Sequence, residues 1–289
     1  MQKRHKMGEK YIKSNLHTHS TFCDGKSTLE ENVIAAIQKG IKVLGFTSHS
    51  MYPFHTESNM KPENFASYCE EIHRLQKKYE GQVSIRLGFE ADFIPGITVP
   101  HHENYSEFKP DYLIGSVHFI FQRAGIFGVD NTPEIWAEGA RKFYGGDMKA
   151  LIGDYFALQK EMLDLGKFEL LGHPDLVRKF NEKFPLFDEN AGWYKDYLDD
   201  MAKAISKWGG ATEINTGAIS RKWLTKPYPS EYFLEKLHDA HVPVAITADA
   251  HAAENLDCAF EQARALAKKA GYTEIIYDID RTSFKFCEL

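Results

Sequence analysis

The chain has 289 residues, enough to bury a sizeable core in one large α/β domain or two smaller ones. Its net charge of -6 argues against a general nucleic-acid-binding protein, because phosphate backbones are held largely by Lys and Arg. The four cysteines are far apart and form no CxxC pair, so neither a zinc knuckle nor a disulfide framework is expected.

Short apolar runs alternate with helical patterns along the chain. The clearest helix is predicted over 27–40, where Ser27 and Glu30 fit a capping box and Gly40 suits the C-terminal stop. Strands are predicted at 14–16, 42–49, 83–92, 111–119, 168–175, 210–215, 242–251 and 273–278, with further helices at 63–81, 133–144, 148–166, 190–208, 230–241 and 253–271. This alternation implies parallel βαβ units, and about seven of them favour a closed or nearly closed barrel over an open sheet.

Nearly every predicted strand ends in a side chain that can bind a metal ion. In a parallel α/β barrel the C-terminal strand ends share one face, where active sites are built. A single histidine at such a position is more often a satisfied polar residue, but repetition of the same placement favours a metal site. The residues are His17, His19, His49, Glu90, His118, His173, Asp249 and His251.

The spacing of two pairs supports metal binding. Residues i and i+2 of a strand point to the same side, so His17 and His19 can reach one ion. Asp249 and His251 repeat the spacing, although a turn there could send them to neighbouring ions. Imidazole and carboxylate together suit Zn, Mn or Fe rather than an all-oxygen Ca site.

The motifs "HTH", "SH", "GFE", "SVH", "GH" and "DAH", in this order and with Asp24 after the first, resemble the polymerase-and-histidinol-phosphatase (PHP) family of metal-dependent phosphoesterases. The resemblance covers residues 14–251. It implies an α/β fold, a distorted (β/α)7 TIM-like barrel with the metal site at the C-terminal ends of its strands. We expect residues 1–289 to form one such domain, with 1–12 as an N-terminal tail.

The resemblance also implies two or three divalent ions, Zn, Mn or Fe, held by three groups of ligands. Glu90 belongs to two of these groups, and some relatives have histidine where this chain has Asp24. The groups are His17, His19, Glu90 and Asp249; then Glu90, His118 and His173; then Asp24, His49 and His251.

Within the family, the chain resembles the histidinol-phosphatase branch. "DYLIGSVHFI" followed by "GVDN", and "EINTGAISRKW" ahead of "ADAH", are similar to that branch. The resemblance implies hydrolysis of L-histidinol phosphate, a reaction of histidine biosynthesis. We expect a hydroxide that bridges the first two ions to attack phosphorus in line.

Three residues are candidates for the remaining chemistry. Asp175 is a candidate proton donor for the leaving alkoxide, with helix capping as an equal alternative. Arg178 and Arg221 are candidates for binding phosphate, since a guanidinium can donate two hydrogen bonds to it, although Arg178 could instead face solvent. Residues 51–55 form a candidate wall of the substrate pocket.

Alternative functions are a nuclease of the same family, an amidohydrolase-like deaminase and a metal-stabilised binding domain. We favour the phosphatase because the ligand set is complete and the acidic chain lacks a basic stripe. The expected partner is a small phosphorylated substrate, with no nucleic acid and no membrane. The charged N-terminus is followed by no apolar stretch, and no window approaches the ~20 apolar residues of a membrane span, so we expect a cytoplasmic protein.

Overall fold

A computed structural model describes residues 10–50, 56–122 and 125–289. Its strands are β1 (Ser14–Asn15), β2 (Val43–Phe46), β3 (Ser84–Asp92), β4 (Tyr112–Ser116), β5 (Phe119–Gln122), β6 (Gly125–Gly128), β7 (Leu170–Leu171), β8 (Ala211–Asn215), β9 (Val244–Thr247), β10 (Glu274–Asp280) and β11 (Ser283–Glu288). The α-helices are α1 (Leu29–Gln38), α2 (Phe65–Lys78), α3 (Pro133–Tyr144), α4 (Met148–Leu165), α5 (Gly192–Trp208), α6 (Gly217–Ser220), α7 (Glu231–Asp239) and α8 (Phe260–Lys269). Short 3-10 helices occupy Pro62–Asn64, His102–Tyr105, Leu176–Arg178 and Ala253–Asn255.

Parallel strands form a closed barrel in the order β1, β2, β3, β4, β7, β8, β9. The ring closes just beyond the ends of β1 and β9. There the His19 N–H donates to the Ala250 carbonyl over 2.9 Å, and the Ala250 N–H donates to the His17 carbonyl over 3.2 Å. The predicted distorted (β/α)7 barrel is therefore confirmed, and all seven strands end on one face.

Strands β10 and β11 form a hairpin that extends the barrel wall and that the sequence patterns predicted only in part. β10 runs parallel to β9 and antiparallel to β11. The turn between them contains no glycine, which removed the usual hairpin signal. Instead, one carboxylate oxygen of Asp280 accepts from the backbone N–H groups of Thr282 and Ser283, over 2.8 and 2.9 Å.

The core has two layers, one inside the barrel and one between the strands and the surrounding helices. Adjacent residues of a strand face opposite layers, as on β4, where Tyr112 and Ile114 point inward and Leu113 points outward. The inner layer consists of Leu16, Val43, Tyr112, Ile114, Leu170, Ala211, Ala245, Ile276, Ile279 and Phe284. Apolar side chains thus fill the barrel below the strand ends, and the polar residues lie above them.

The capping box of α1 lies one residue later than predicted. Thr28 is the N-cap: its hydroxyl accepts from the Glu31 N–H, and the Glu31 carboxylate accepts from the Thr28 N–H over 2.7 Å. The prediction of Ser27 and Glu30 was wrong, because the Ser27 hydroxyl instead accepts from the Ala253 N–H over 3.1 Å.

Two further segments differ in detail from the sequence patterns. The predicted strand 111–119 divides into β4 and the first residue of an antiparallel hairpin, β5–β6. Residues 1–9 of the expected tail lie outside the described residues, whereas Tyr11 and Ile12 pack on the barrel. The Arg264 guanidinium lies 3.7 Å from the centre of the Tyr11 ring, and the Ile12 N–H donates to Cys287 Sγ. In the described ranges, no helix is both long and apolar enough to cross a membrane.

Candidate metal centre

One group of potential ligands gathers at the C-terminal ends of β1, β3 and β9. His17 Nε2 lies 3.2 Å from Glu90 Oε2 and 3.8 Å from Asp249 Oδ1. His19 Nε2 lies 3.5 and 3.1 Å from the same two oxygens. Zinc bonds of about 2.1 Å in tetrahedral geometry would separate the ligand atoms by about 3.4 Å. The four distances, 3.1–3.8 Å, lie around this value, and His17, His19 and Asp249 form one cluster of potential ligands.

A second group shares Glu90 through its other oxygen. Glu90 Oε1 lies 3.4 Å from His118 Nε2 and 3.0 Å from His173 Nε2, and the two ring nitrogens are 3.2 Å apart. The Ser116 hydroxyl donates to the same oxygen over 2.7 Å. Glu90 thus presents one oxygen to each group, which is the arrangement of a bridging carboxylate.

A third group lies toward the loop that follows β1. Asp24 Oδ2 lies 3.3 Å from His251 Nε2 and 3.8 Å from His49 Nε2. The other Asp24 oxygen lies 3.6 Å from His19 Nδ1. His49 also presents Nδ1 to Glu90 Oε2 over 3.2 Å, so its ring connects this group with the other two. The structure therefore brings together all nine side chains that the sequence nominated as ligands.

The backbone at Asp249 turns, so that its carboxylate and His251 Nε2 face different partners. Asp249 has a φ of 46°, in the left-handed region that residues other than glycine rarely adopt. The turn sends the Asp249 carboxylate toward His17 and His19, while His251 faces Asp24. The sequence left open whether a turn would direct Asp249 and His251 to neighbouring groups, and the structure contains this turn.

Buried polar atoms without hydrogen-bond partners support a metal ion at this place. His17 Nε2, His19 Nε2, His49 Nδ1 and Asp24 Oδ1 are all buried and have no such partner. Leaving a buried polar atom unsatisfied costs on the order of 1–3 kcal/mol. Divalent cations bound among these side chains would give such atoms partners, so the residues fit a metal centre.

Electrostatics keep the central carboxylates in the anionic form that binds metals. Burial alone would raise the pKa of Glu90, but the nearby rings of His17 and His49 hold it well below its usual range. Burial likewise opposes ionisation of Asp249, but the Arg221 guanidinium outweighs it and lowers the pKa of that carboxyl. Both side chains are therefore ready to bind a cation without losing a proton.

Two acidic residues that sequence reasoning missed orient the histidines. Glu213 Oε2 lies 2.9 Å from His17 Nδ1, and Asp92 Oδ1 lies 2.7 Å from His118 Nδ1. Such outer carboxylates determine which ring nitrogen is free to bind metal. The signal for Asp92 was its position two residues after Glu90, on the same side of β3. For Glu213 it was a charged residue inside the apolar strand β8.

A cavity of ≈ 250 Å³ opens above the three groups. Several ligands form its floor, and its walls include Phe119, Asp130, Asn131, Lys179 and Arg221. The Arg221 guanidinium donates from Nη2 to Asp249 Oδ2 over 2.8 Å and from Nη1 to the Asp249 carbonyl over 3.2 Å. Arg221 is therefore placed to contact both a metal ligand and a molecule in the cavity.

The other two nominated residues do not line this cavity. Asp175 is fully buried, and its Oδ2 accepts from the Ser230 N–H over 2.7 Å. It makes no capping hydrogen bond to the short helix that follows, so the capping alternative is wrong. Arg178 donates to Glu189 over 3.0 Å and to the Pro227 carbonyl over 3.1 Å instead of facing solvent. The candidate wall at residues 51–55 lies outside the described residues.

Comparisons with known proteins agree with this geometry. The family model of the PHP domain matches residues 15–217. A protein of Deinococcus radiodurans named "Probable histidinol-phosphatase" is 32% identical over 238 residues, which cover 81% of this chain and 85% of the relative. The histidinol-phosphatase of Bacillus subtilis is 26% identical over 262 residues, covering 85% and 96% of the two chains.

A solved structure shares the fold. It is the histidinol phosphate phosphatase of Lactococcus lactis complexed with Zn, L-histidinol and phosphate, with a TM-score of 0.72 and 21% identity. The match covers 94% of this chain and 98% of that one. The barrel and the position of its strand ends are therefore common to both proteins.

Proposed function

The chain belongs to the PHP domain family, and on that premise we propose that it is a histidinol-phosphatase. Such an enzyme is a phosphoric monoester hydrolase that converts L-histidinol phosphate and water to L-histidinol and phosphate. The observation that carries the proposal is the carboxylate of Glu90, which faces two histidine groups at the floor of a ≈ 250 Å³ cavity. Relatives named for this activity match most of the chain.

We assign two or three divalent ions, Zn, Mn or Fe, to the three ligand groups. The first ion would be held by His17, His19, Glu90 and Asp249, the second by Glu90, His118 and His173, and the third by Asp24, His49 and His251. When bound, such ions neutralise charge on the phosphate and lower the pKa of water. The presence of both imidazole and carboxylate ligands favours these metals over calcium.

The cavity walls provide the remaining contacts for the substrate. Arg221 borders the cavity and offers a guanidinium to the phosphate oxygens, while Asp249 holds its orientation. Phe119 and Asn131 offer an aromatic face and an amide to the imidazole and amine of L-histidinol phosphate. Arg178 has no part in this proposal, because its guanidinium is bonded elsewhere.

A substrate panel with metal control tests the proposal. Purified protein is assayed on L-histidinol phosphate, 4-nitrophenyl phosphate and single-stranded DNA, before and after chelation and after return of Zn, Mn or Fe. We expect hydrolysis of L-histidinol phosphate that chelation abolishes and metal restores. Full turnover in metal-free protein, or cleavage of DNA without cleavage of the phosphate monoester, would contradict it.

A further inference from the structure

Cleavage of an alkyl phosphate requires a proton at the leaving oxygen. A primary alkoxide is a strong base and leaves poorly unless an acid protonates it as the P–O bond breaks. The proposed metal ligands are unsuited to act as this acid, because the same ring nitrogens and carboxylates would be bound to the ions. Among the protein's own groups, the candidates that remain are the side chains of the cavity walls.

Most side chains on the walls lack a proton that they can transfer. The Arg221 guanidinium keeps its protons at any relevant pH. Asp130 is an ionised acceptor, because Lys179 and His118 outweigh its burial and lower its pKa to about 2. Ser58, Phe119, Asn131 and Leu176 also line the cavity, and none carries a group that is acidic near neutral pH. Among the described residues that line the cavity, Lys179 alone carries an N–H acid that is neither a proposed ligand nor permanently charged.

Lys179 lines the cavity and is held there by Asp130. Lys179 is only 7% exposed. Its ammonium donates to the Asp130 carbonyl over 2.7 Å and to Asp130 Oδ2 over 3.2 Å. Asp130 follows Val129 in the chain, and the Val129 N–H donates to the carbonyl of His118 over 2.9 Å. This contact places Asp130 near the second ligand group. An ammonium has three N–H groups, so one remains for a molecule in the cavity.

We propose that Lys179 is the proton donor to the leaving alkoxide, oriented by Asp130. As the bridging P–O bond breaks, its electron pair stays on the ester oxygen, which takes a proton from the Lys179 ammonium. Water supplies the new oxygen on phosphorus, and the neutral amine regains a proton from solvent. Lys179 thereby replaces Asp175, the sequence-based candidate, which lies off the cavity. This inference rests on the proposed phosphatase function.

The environment of Lys179 agrees with this role. Burial is the largest influence on the Lys179 ammonium and lowers its pKa, and the charge of Arg221 lowers it further. The carboxylates of Asp130 and Asp249 raise this pKa but do not outweigh burial. A lysine shifted in this direction gives up its proton more readily than an exposed one. The shift brings the donor nearer to the range in which general acids work well.

A comparison of two esters tests the inference. The variants are Lys179→Met and the charge-preserving Lys179→Arg, with Lys183→Met as control, since Lys183 lies over the Trp223 ring, where it does not line the cavity. L-histidinol phosphate needs a proton at its leaving group, whereas 4-nitrophenyl phosphate does not, because nitrophenolate is stable in water. Metal content and the Kd of orthovanadate are measured alongside for each protein.

We expect both Lys179 variants to lose roughly 100-fold or more in kcat on L-histidinol phosphate. Turnover of 4-nitrophenyl phosphate should stay close to wild type, and Lys179→Arg should retain metal content and vanadate binding. Equal losses on both esters would identify a phosphate-binding residue and overturn the proposal, as would unchanged turnover of L-histidinol phosphate. Wild-type protein that cleaves neither ester would overturn the proposed function and this inference with it.

Discussion

The carboxylate of Glu213 accepts a hydrogen bond from Nδ1 of His17 over 2.9 Å, because an ionised carboxylate can only accept. This contact leaves Nε2 of His17 free to face the cluster. Glu213 also accepts from the Thr247 hydroxyl and from the backbone N–H of His173, each over 2.7 Å. One buried side chain thus positions residues of two ligand groups.

Glu213→Gln should weaken metal binding without removing a proposed ligand. The neutral amide cannot hold the His17 N–H as strongly, and loss of such an outer contact typically costs roughly 10–100-fold in metal affinity. Competition with a chromophoric chelator measures the effect. Glu169→Gln is the matched control, because Glu169 pairs with His102 away from the cluster. Equal metal affinity in the two variants would contradict the positioning role of Glu213.

His19→Ala and Asp249→Ala should each lower the number of ions bound per chain. Both side chains belong to the first ligand group, and their atoms lie 3.1 Å apart. Elemental analysis of freshly purified protein gives the metal content, and phosphatase turnover should fall sharply with it. His73→Ala on the exposed face of α2 should leave both quantities unchanged. Wild-type metal content in His19→Ala would remove His19 from the ligand set.

Arg221→Ala should reduce kcat/KM for phosphate esters. The variant removes a charged donor, an interaction worth about 1.5–3 kcal/mol, which corresponds to roughly 10-fold to 150-fold. Because Arg221 also donates to Asp249 over 2.8 Å, some loss of metal should accompany the effect. Arg221→Lys should recover part of the loss through its remaining charge. Steady-state kinetics at saturating metal separate the two contributions, and an unchanged kcat/KM would reject the role.

Gly217→Ala should disturb the metal centre through steric contact alone. A Cβ at this position would lie 2.7 Å from Arg221 Nη2 and 2.8 Å from Asp249 Oδ2, so both side chains would have to move. Gly192→Ala is the control, because a Cβ there meets nothing within 4 Å. We expect reduced turnover and metal content in Gly217→Ala only, with both proteins folded by circular dichroism. Full activity would show that this close approach is not required.

Asp278→Asn should destabilise the barrel in a pH-dependent way. Burial opposes its ionisation, but hydrogen bonds from Arg86 over 2.8 and 2.6 Å, and from Lys285 over 2.8 Å, lower the pKa of Asp278. Its stabilising effect is therefore full above the unfolded pKa of about 3.9 and is lost as the pH falls through the lower folded value. The difference in Tm from wild type should be greatest near neutral pH.

The same experiment has an internal control. Asp239 has a side chain that is 69% exposed, so Asp239→Asn should leave Tm nearly unchanged at each pH. Acid titration of both variants by thermal denaturation should bring the Asp278→Asn curve progressively closer to wild type as the pH falls from about 4 through the lower folded pKa. A constant difference across the titration would show that lost packing, and not the ion pair, causes the destabilisation.

Local sequence patterns were sufficient for the barrel and for the side chains at its open end. Alternation of strand and helix dictates parallel strands, and parallel strands must end on one face, so His17 and Asp249 could be expected to meet although they lie far apart in the chain. The same logic covers Glu90 and His173, because in the sequence each stands at the end of a short apolar run. These predictions follow from the alternation of strands and helices and require no knowledge of loop conformations.

Loop directions and outer contacts were decided only by the tertiary structure. Asp175 and Lys179 lie in one segment after β7, and nothing in its pattern indicates that Asp175 turns toward Ser230 while Lys179 reaches Asp130. Glu213 likewise acquires its role only when β8 is placed beside His17. These choices depend on contacts between segments distant in sequence, where packing and hydrogen-bond satisfaction select one direction among several that the local chain allows.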